Sequence, residues 1–224
     1  MLRLLQPRTD AHAETVWVFD LDNTLHDATP HIFPHINRSM TAYLQEHLQL
    51  SEAEANALRV DYWQRYGATL SGLIKHHGTD PDHFLWHTHQ FPKLDEMVLR
   101  IPGLRSTLLR LPGRKLLYSN APQHYAHAVL KLLKVNDLFD GVFALEQARY
   151  RPKPQWQGFR RLLQHYRLNP GHCIMVEDSA DNLKTAKRLG MRTVWLSRAA
   201  KQPGYVDIKI QHVLELPRVV SRLY

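Results

Sequence analysis

The stretch Val16-Trp17-Val18-Phe19-Asp20-Leu21-Asp22-Asn23-Thr24-Leu25 decides how this chain is interpreted. The apolar, β-branched and aromatic residues over 16–19 are typical of a buried strand. Two acids, Asp20 and Asp22, follow directly, and like charges held close together at the edge of a core raise each other's pKa or require a cation. Because open α/β sheets bind ligands at the carboxyl ends of their strands, the stretch predicts a metal-assisted active site there.

Length and composition fit an ordinary globular protein. The chain has 224 residues, of which 44% are hydrophobic and 22% charged, enough for one large domain or a core with a smaller insert. A lone cysteine, Cys173, excludes an intramolecular disulfide and fits a reducing compartment. We find no secretory signal and no apolar run long enough to span a membrane, so we predict a soluble cytoplasmic protein.

The net charge of +8 favours anionic partners. The basic residues are scattered along the chain instead of gathered in a block, which is typical of a solvated surface. The charge alone would suit nucleotides, sugar phosphates, nucleic acid or a membrane surface. Because it is scattered, we predict neither nucleic acid nor a membrane as a partner, which leaves a small phosphorylated metabolite.

Strand and helix patterns alternate over most of the chain. Four further strands are predicted, over 115–119, 141–144, 173–178 and 193–196. Amphipathic helices are predicted over 104–111, 123–133, 155–166 and 179–189. This alternation predicts an α/β fold with a Rossmann-like, three-layer core, in which helices cover both faces of a parallel sheet.

One region breaks the alternation. Between 30 and 97 the patterns are helical, over 32–48, 51–66, 70–77 and 81–88, and Ser51 with Glu54 forms a capping-box pattern. We predict an all-helical cap domain over 30–97, inserted into a discontinuous core domain of 1–29 and 98–224. Since the insert follows the two acids directly, it is expected to lie above them.

Polar side chains mark the ends of the other predicted strands. Ser119-Asn120 follows one strand, Glu177-Asp178 ends another, and Lys153 lies between two prolines. No glycine-rich phosphate loop follows the first strand. Mg²⁺ prefers oxygen ligands and substrate phosphate oxygens, so Asp20 and Asp178 are natural ligands for it. Lys153 and Ser119 would then contact a transferring phosphoryl group.

These motifs, in this order, resemble the Asp-based phosphohydrolases of the haloacid dehalogenase superfamily. The D-x-D-x-T motif is intact as Asp20, Asp22 and Thr24, and Ser119, Lys153 and Glu177-Asp178 match the later motifs. The resemblance implies a phosphatase or phosphomutase with a type 1 cap. Asp20 would be the nucleophile that forms an aspartyl-phosphate, and Asp22 would be the general acid and base.

The resemblance also implies binding roles. Asp20, the backbone carbonyl of Asp22 and Asp178 would hold Mg²⁺, with Glu177 acting through water or as a weak ligand. Thr24, Ser119 and Asn120 would position phosphate oxygens. The fourth motif departs from the usual pattern, which leaves open whether Asp181 or Asn182 contributes a further ligand.

The substrate is predicted from a looser similarity. Segments 65–73, 80–85 and 87–89 are similar to the cap of pyrimidine 5′-nucleotidase-type members, which implies a nucleoside 5′-monophosphate and makes His89 a candidate for lining the pocket. Phosphoglycolate or another small phosphomonoester is the alternative substrate, and a β-phosphoglucomutase-type phosphomutase shares the same catalytic residues. A catalytically silent binding module is the non-enzyme alternative, although none of the catalytic positions is lost.

Overall fold

A computed structural model describes residues 15–223, which form one six-stranded, entirely parallel sheet. The strands are β1 (Val16–Phe19), β2 (Arg114–Tyr118), β3 (Gly141–Phe143), β4 (Cys173–Glu177), β5 (Arg192–Leu196) and β6 (Ile208–Ile210). Their order across the sheet is β3-β2-β1-β4-β5-β6. The strand order therefore reverses beside β1, and open α/β sheets bind their ligands at such a switch point.

Ten α-helices accompany the strands within the described residues. They are α1 (Ile32–Leu48), α2 (Glu52–Tyr66), α3 (Thr69–His77), α4 (Pro81–Thr88), α5 (Leu94–Met97), α6 (Leu104–Leu109), α7 (Gln123–Leu132), α8 (Trp156–His165), α9 (Ala180–Arg188) and α10 (Leu216–Val219). No helix in this part of the chain is both long and apolar enough to cross a membrane.

Alternation along β1 builds a core on each face of the sheet. Trp17 and Phe19 join a cluster with α6, α7 and α10, whereas Val16 and Val18 join a second cluster with α8 and α9. All four side chains are at most 6% exposed, as expected for a central strand covered on both faces. The predicted three-layer α/β core is thus confirmed.

The chain leaves the sheet after β1 and forms helices before it returns at β2. Between Phe19 and Arg114, a stretch described throughout, helices and two isolated bridge pairs form but no strand. Helices α1 to α4 enclose a third core that includes Leu44, Leu73 and Phe84, all buried. The capping box at the start of α2 is confirmed by reciprocal hydrogen bonds between Ser51 and Glu54.

The sequence prediction was wrong about several strand ends. Ser119, Ala144 and Asp178 were assigned to strands, but β2, β3 and β4 each end one residue earlier. These residues lie where the backbone leaves the ladder at the carboxyl edge of the sheet. The edge strand β6 was missed, because three residues are too few for a period-2 pattern to be recognised. Residues 1–14 of the predicted core domain lie outside the described residues.

Candidate active site

The carboxyl ends of three adjacent strands bring the predicted residues together. Asp20 follows β1, Ser119 follows β2, and Asp178 follows β4. Because β1 pairs in parallel with both β2 and β4, these three ends lie side by side at one edge of the sheet. The site therefore occupies the switch point, the crevice in which open α/β sheets bind their ligands.

Lys153 is the central cation of this site. It is 2% exposed, and its Nζ donates to Asp20 Oδ1 at 2.6 Å, to Glu177 Oε2 at 2.7 Å and to the Tyr118 carbonyl at 2.9 Å. Burial alone would lower the pKa of the ammonium group, but attraction to Asp20 and Glu177 outweighs it and raises that pKa. Lys153 is therefore charged at neutral pH.

Asn120 holds the backbone of Lys153 in place. Its Oδ1 accepts from the Lys153 N–H at 2.7 Å, and its Nδ2 donates to the Lys153 carbonyl at 3.0 Å. The loop that carries the lysine is thus tied to the end of β2. In the structure Asn120 contacts this loop. The phosphate contact expected for Asn120 stays a prediction.

Glu177 is the partner that fixes the lysine from the other side. Its Oε1 accepts from the backbone N–H groups of Asp178 and Ser179, and its Oε2 accepts from Lys153 and from Asn182 Nδ2 at 3.0 Å. Burial would raise the pKa of Glu177, but Lys153 and these hydrogen bonds lower it. Asn182 is buried and contributes to this network, whereas Asp181 is exposed.

Asp20, Glu177 and Asp178 form an acidic cluster in which one ligand atom from each lies within 4.8 Å of the others. Burial, followed by repulsion from Glu177, raises the pKa of Asp20 to about 7. Burial, followed by the hydrogen bond with Glu177, raises the pKa of Asp178 to about 8. Ionising both carboxylates is costly unless a metal ion is bound. An all-oxygen donor set of this kind fits Mg²⁺.

Asp22 lies in a tight turn and faces two donors that the sequence analysis missed. Its Oδ1 accepts from Tyr125 OH at 2.7 Å and contacts His26 Nε2 at 2.9 Å. Burial, followed by the nearby Asp22 charge, raises the pKa of Tyr125, so the phenol keeps its proton and donates. The neighbouring Asn23 adopts φ 60°, a left-handed conformation that asparagine tolerates better than most residues.

Two buried hydroxyl groups flank the nucleophile candidate. Thr24 Oγ1 donates to Asp20 Oδ2 at 3.4 Å, a long hydrogen bond. Ser119 Oγ accepts from the Ala121 N–H at 3.0 Å, so its own hydrogen is free to donate elsewhere. Both side chains are at most 2% exposed. Thr24 thus supplies a hydroxyl donor to Asp20, and Ser119 supplies one at the end of the neighbouring strand β2.

His89 packs against Tyr125, the residue that donates to Asp22. Its ring centroid is 5.9 Å from that of Tyr125, and its Nδ1 contacts the Leu85 carbonyl and Thr88 Oγ1. Burial lowers the pKa of His89 to about 4, against an opposing effect of Asp22. The imidazole is therefore neutral at pH 7.

This lowered pKa predicts an acid-sensitive stability. As pH falls below about 6.5, His89 binds a proton in the unfolded chain, whereas in the folded chain it does so only near pH 4. The free energy of unfolding therefore decreases as the pH is lowered from 7.5. The contribution lost by pH 5 is roughly 2 kcal/mol. In urea titrations, His89→Gln should lose less unfolding free energy than the wild type between pH 7.5 and 5. An equal loss in both proteins would refute this.

Tyr125 and His26 carry little sequence signal. Tyr125 lies in the first turn of α7, which starts just after the end of β2, so a polar side chain there is directed back over the strand ends. That position is the one cue from which it could have been found. His26 is four residues after Asp22 but in an irregular turn, where no helical spacing applies. Its Nδ1 has no hydrogen bond among the described residues.

A parallel sheet with acids, a lysine and hydroxyl groups at the switch point is typical of an enzyme with an α/β fold. Consistent with this, residues 15–190 match the family model of the haloacid dehalogenase-like hydrolases. The chain belongs to this family.

Similar proteins of known name are distant. The chain is 27% identical over 195 residues to Phosphate metabolism protein 8 of Saccharomyces cerevisiae, a match that covers 80% of this chain and 60% of the yeast protein. It is 25% identical over 193 residues to a Phosphoglycolate phosphatase of Pseudomonas putida, covering 80% and 68%. The crystal structure of a HAD phosphatase from Thermococcus onnurineus shares the fold, with a TM-score of 0.61, 23% identity, and 92% and 97% coverage.

Proposed function

We propose that this protein is a Mg²⁺-dependent phosphomonoester hydrolase that works through an aspartyl-phosphate on Asp20. The observation that carries the proposal is the position of the Asp20 carboxylate. One of its oxygens is 2.6 Å from Lys153 Nζ, and one carboxylate oxygen from each of Asp20, Glu177 and Asp178 lies within 4.8 Å of the others. A carboxylate paired with an ammonium group, beside acids that can hold a metal ion, can attack phosphorus once that ion offsets the charge of the phosphate. Family membership supports hydrolysis as the overall reaction.

The residues divide the reaction into two steps. Asp20 attacks the phosphorus, the ester bond breaks, and Asp22 protonates the leaving oxygen. Asp22 then removes a proton from water, which attacks the phosphorus of the aspartyl-phosphate and releases inorganic phosphate and free Asp20. Through both steps Thr24 and Ser119 donate to the phosphoryl oxygens as negative charge develops there. Lys153 donates as well once it releases one of its three present acceptors, Asp20, Glu177 or the Tyr118 carbonyl.

The acidic cluster provides the remaining charge balance. Asp20 and Asp178 would hold Mg²⁺, with the Asp22 backbone carbonyl as the predicted third protein ligand. When bound, Mg²⁺ neutralises the phosphate charge that the carboxylates would otherwise repel. Since both oxygens of Glu177 already accept hydrogen bonds, we assign it the role of orienting Lys153 and any ligand water.

We propose a nucleoside 5′-monophosphate as the substrate, on the basis of the nucleotidase-like cap segments, and a type 1 cap domain over 30–97. A separate core in α1 to α4 supports a semi-independent cap. The cap side chains, which include His89, would then exclude water and choose the leaving group. We place the enzyme in the cytoplasm.

A second substrate class has its own support. The matched Pseudomonas putida protein is named Phosphoglycolate phosphatase, and a further relative, 27% identical over 123 residues, is Hexitol phosphatase B of Escherichia coli. These names favour a small, non-aromatic phosphomonoester as the alternative. The core site would serve either class, since the proposed steps use only the phosphoryl group and the leaving oxygen, which both classes share.

A panel of phosphomonoesters tests the proposal directly. Phosphate release should be measured from nucleoside 5′-monophosphates, phosphoglycolate and hexitol phosphates, with Mg²⁺ and with EDTA. We expect release that requires Mg²⁺ and is fastest with a nucleoside monophosphate. Equal release in EDTA would contradict the metal assignment, and a preference for phosphoglycolate would contradict the nucleotidase assignment alone.

Tyr125→Phe should impair leaving-group protonation. Without the phenol, Asp22 loses the 2.7 Å hydrogen bond that orients it, so proton delivery to a poor leaving group suffers most. We expect kcat to fall about tenfold for an alkyl phosphate and far less for p-nitrophenyl phosphate, whose leaving group needs no proton. Tyr150→Phe is the matched control, because its hydroxyl bonds to Asp82 instead. Equal losses with the two substrates would contradict the positioning role.

A further inference from the structure

Three exposed histidines come together on the helices between β1 and β2, away from the acidic cluster. His47 lies in the last turn of α1, and His83 and His87 lie one turn apart on α4. The ring centroids are separated by 4.1 Å for His83–His87, 5.2 Å for His47–His83 and 6.3 Å for His47–His87. We call these three residues the α1–α4 histidine cluster. The proposed phosphatase mechanism uses none of them.

A hydrogen bond to Nδ1 orients two of the rings. His87 Nδ1 is 2.8 Å from the backbone carbonyl of His83, and because a carbonyl can only accept, Nδ1 carries the hydrogen and the lone pair lies on Nε2. His83 Nδ1 is 2.9 Å from Tyr43 OH, and when that hydroxyl accepts from Nδ1, the lone pair of His83 also lies on Nε2. Metal-binding histidines are held in this way, through the ring nitrogen that does not bind the metal.

The chemistry of the side chains favours a transition metal. Imidazole nitrogen suits Zn²⁺, Ni²⁺ and Cu²⁺, in contrast to the oxygen atoms that Mg²⁺ prefers. Residues four apart on a helix share one face, so His83 and His87 can reach one ion.

The cluster is not closed in its present arrangement. Within residues 15–223, the acidic cluster is the one group of three such side chains whose ligand atoms already lie within 4.8 Å of one another. Sharing an ion among all three therefore requires a ring to shift. A shift of His47, whose ring centroid is 6.3 Å from that of His87, leaves the Nδ1 hydrogen bonds of His83 and His87 intact, and its exposure to solvent leaves room for the movement.

We propose that the α1–α4 histidine cluster binds one divalent transition-metal ion of the Zn²⁺, Ni²⁺ or Cu²⁺ class. His83 and His87 would provide the main ligands and His47 a third. The ion would tie the carboxyl-terminal end of α1 to α4. This site is separate from the predicted Mg²⁺ site and does not depend on the phosphatase activity.

Calorimetric titration of the untagged full chain with Ni²⁺, in excess Mg²⁺, tests the proposal. We expect one site whose affinity falls about tenfold or more in His83→Gln and in His87→Gln, and by less in His47→Gln. His165→Gln, an exposed histidine on α8, is the matched control and should leave the affinity unchanged. Unchanged Ni²⁺ binding in the His83→Gln/His87→Gln double variant would overturn the proposal.

Two further measurements separate this site from folding and from the acidic cluster. Circular dichroism should show that each glutamine variant keeps the wild-type spectrum, and Ni²⁺ should raise the thermal midpoint of the wild type but not of the double variant. Asp178→Asn should retain wild-type Ni²⁺ affinity. Loss of that affinity in Asp178→Asn would place the ion at the acidic cluster and overturn the proposal.

Discussion

Asp20→Asn should reduce kcat by at least about 10³-fold while the protein remains folded. The amide that replaces the carboxylate cannot attack phosphorus, so no aspartyl-phosphate forms and the first step is lost. Lys153 keeps Glu177 as its charged partner at 2.7 Å, which explains why folding should survive. Steady-state phosphate release and a thermal unfolding curve measure the two parts of this prediction.

The matched control for this change lies in the same loop. Asp27 is exposed and caps a turn through the Thr29 N–H, with no contact to the acidic cluster. Asp27→Asn should therefore keep near wild-type turnover. If Asp20→Asn kept more than a tenth of wild-type activity, Asp20 could not be the nucleophile.

Lys153→Met should damage both stability and activity. The change leaves Asp20 and Glu177 as neighbouring buried carboxylates without their cation, and breaking a buried ion pair costs roughly 3–5 kcal/mol. It also removes a charged donor to the phosphoryl group, which we expect to lower kcat by about 10²-fold or more. Urea unfolding and phosphate release measure the two effects. Lys184→Met, on the exposed side of α9, should change neither.

A second substitution distinguishes loss of the ion pair from general misfolding. Because Glu177→Gln removes one of the two unpaired charges, the Lys153→Met/Glu177→Gln double variant should recover part of the lost unfolding free energy, a coupling of about 1–3 kcal/mol. Its activity should stay low, since the lysine is still absent. Strictly additive losses of stability would contradict the buried pairing described here.

Much of the fold follows from the sequence because its signals are local and periodic. The alternation of β1, with Trp17 and Phe19 on one face and Val18 on the other, fits a strand covered on both sides. Proline and glycine mark the helix starts and ends between the strands. Parallel strands then place Asp20, Ser119 and Asp178 at one edge without further information.

The remainder depends on contacts between residues far apart in the chain. Tyr125 meets Asp22 across a sequence separation of 103 residues, and Lys153 meets Asp20 across 133. Nothing in the local pattern specifies that both carboxylate oxygens of Glu177 accept hydrogen bonds, or that Asn120 bonds to the backbone of Lys153. The proposed division of roles among the acids rests on such details. The packing of the helices α1 to α4 against one another is equally non-local.

Trapping the covalent intermediate on Asp20 tests the central claim most directly. The wild-type protein would be mixed with its best phosphomonoester substrate and Mg²⁺, quenched in acid during turnover, and reduced with borohydride, which converts an aspartyl-phosphate to homoserine. Peptide mass spectrometry should find homoserine at position 20. It should find none at position 22, and none at either position when substrate is left out. Homoserine at another acid, or rapid phosphate release with position 20 unmodified, would contradict nucleophilic attack by Asp20.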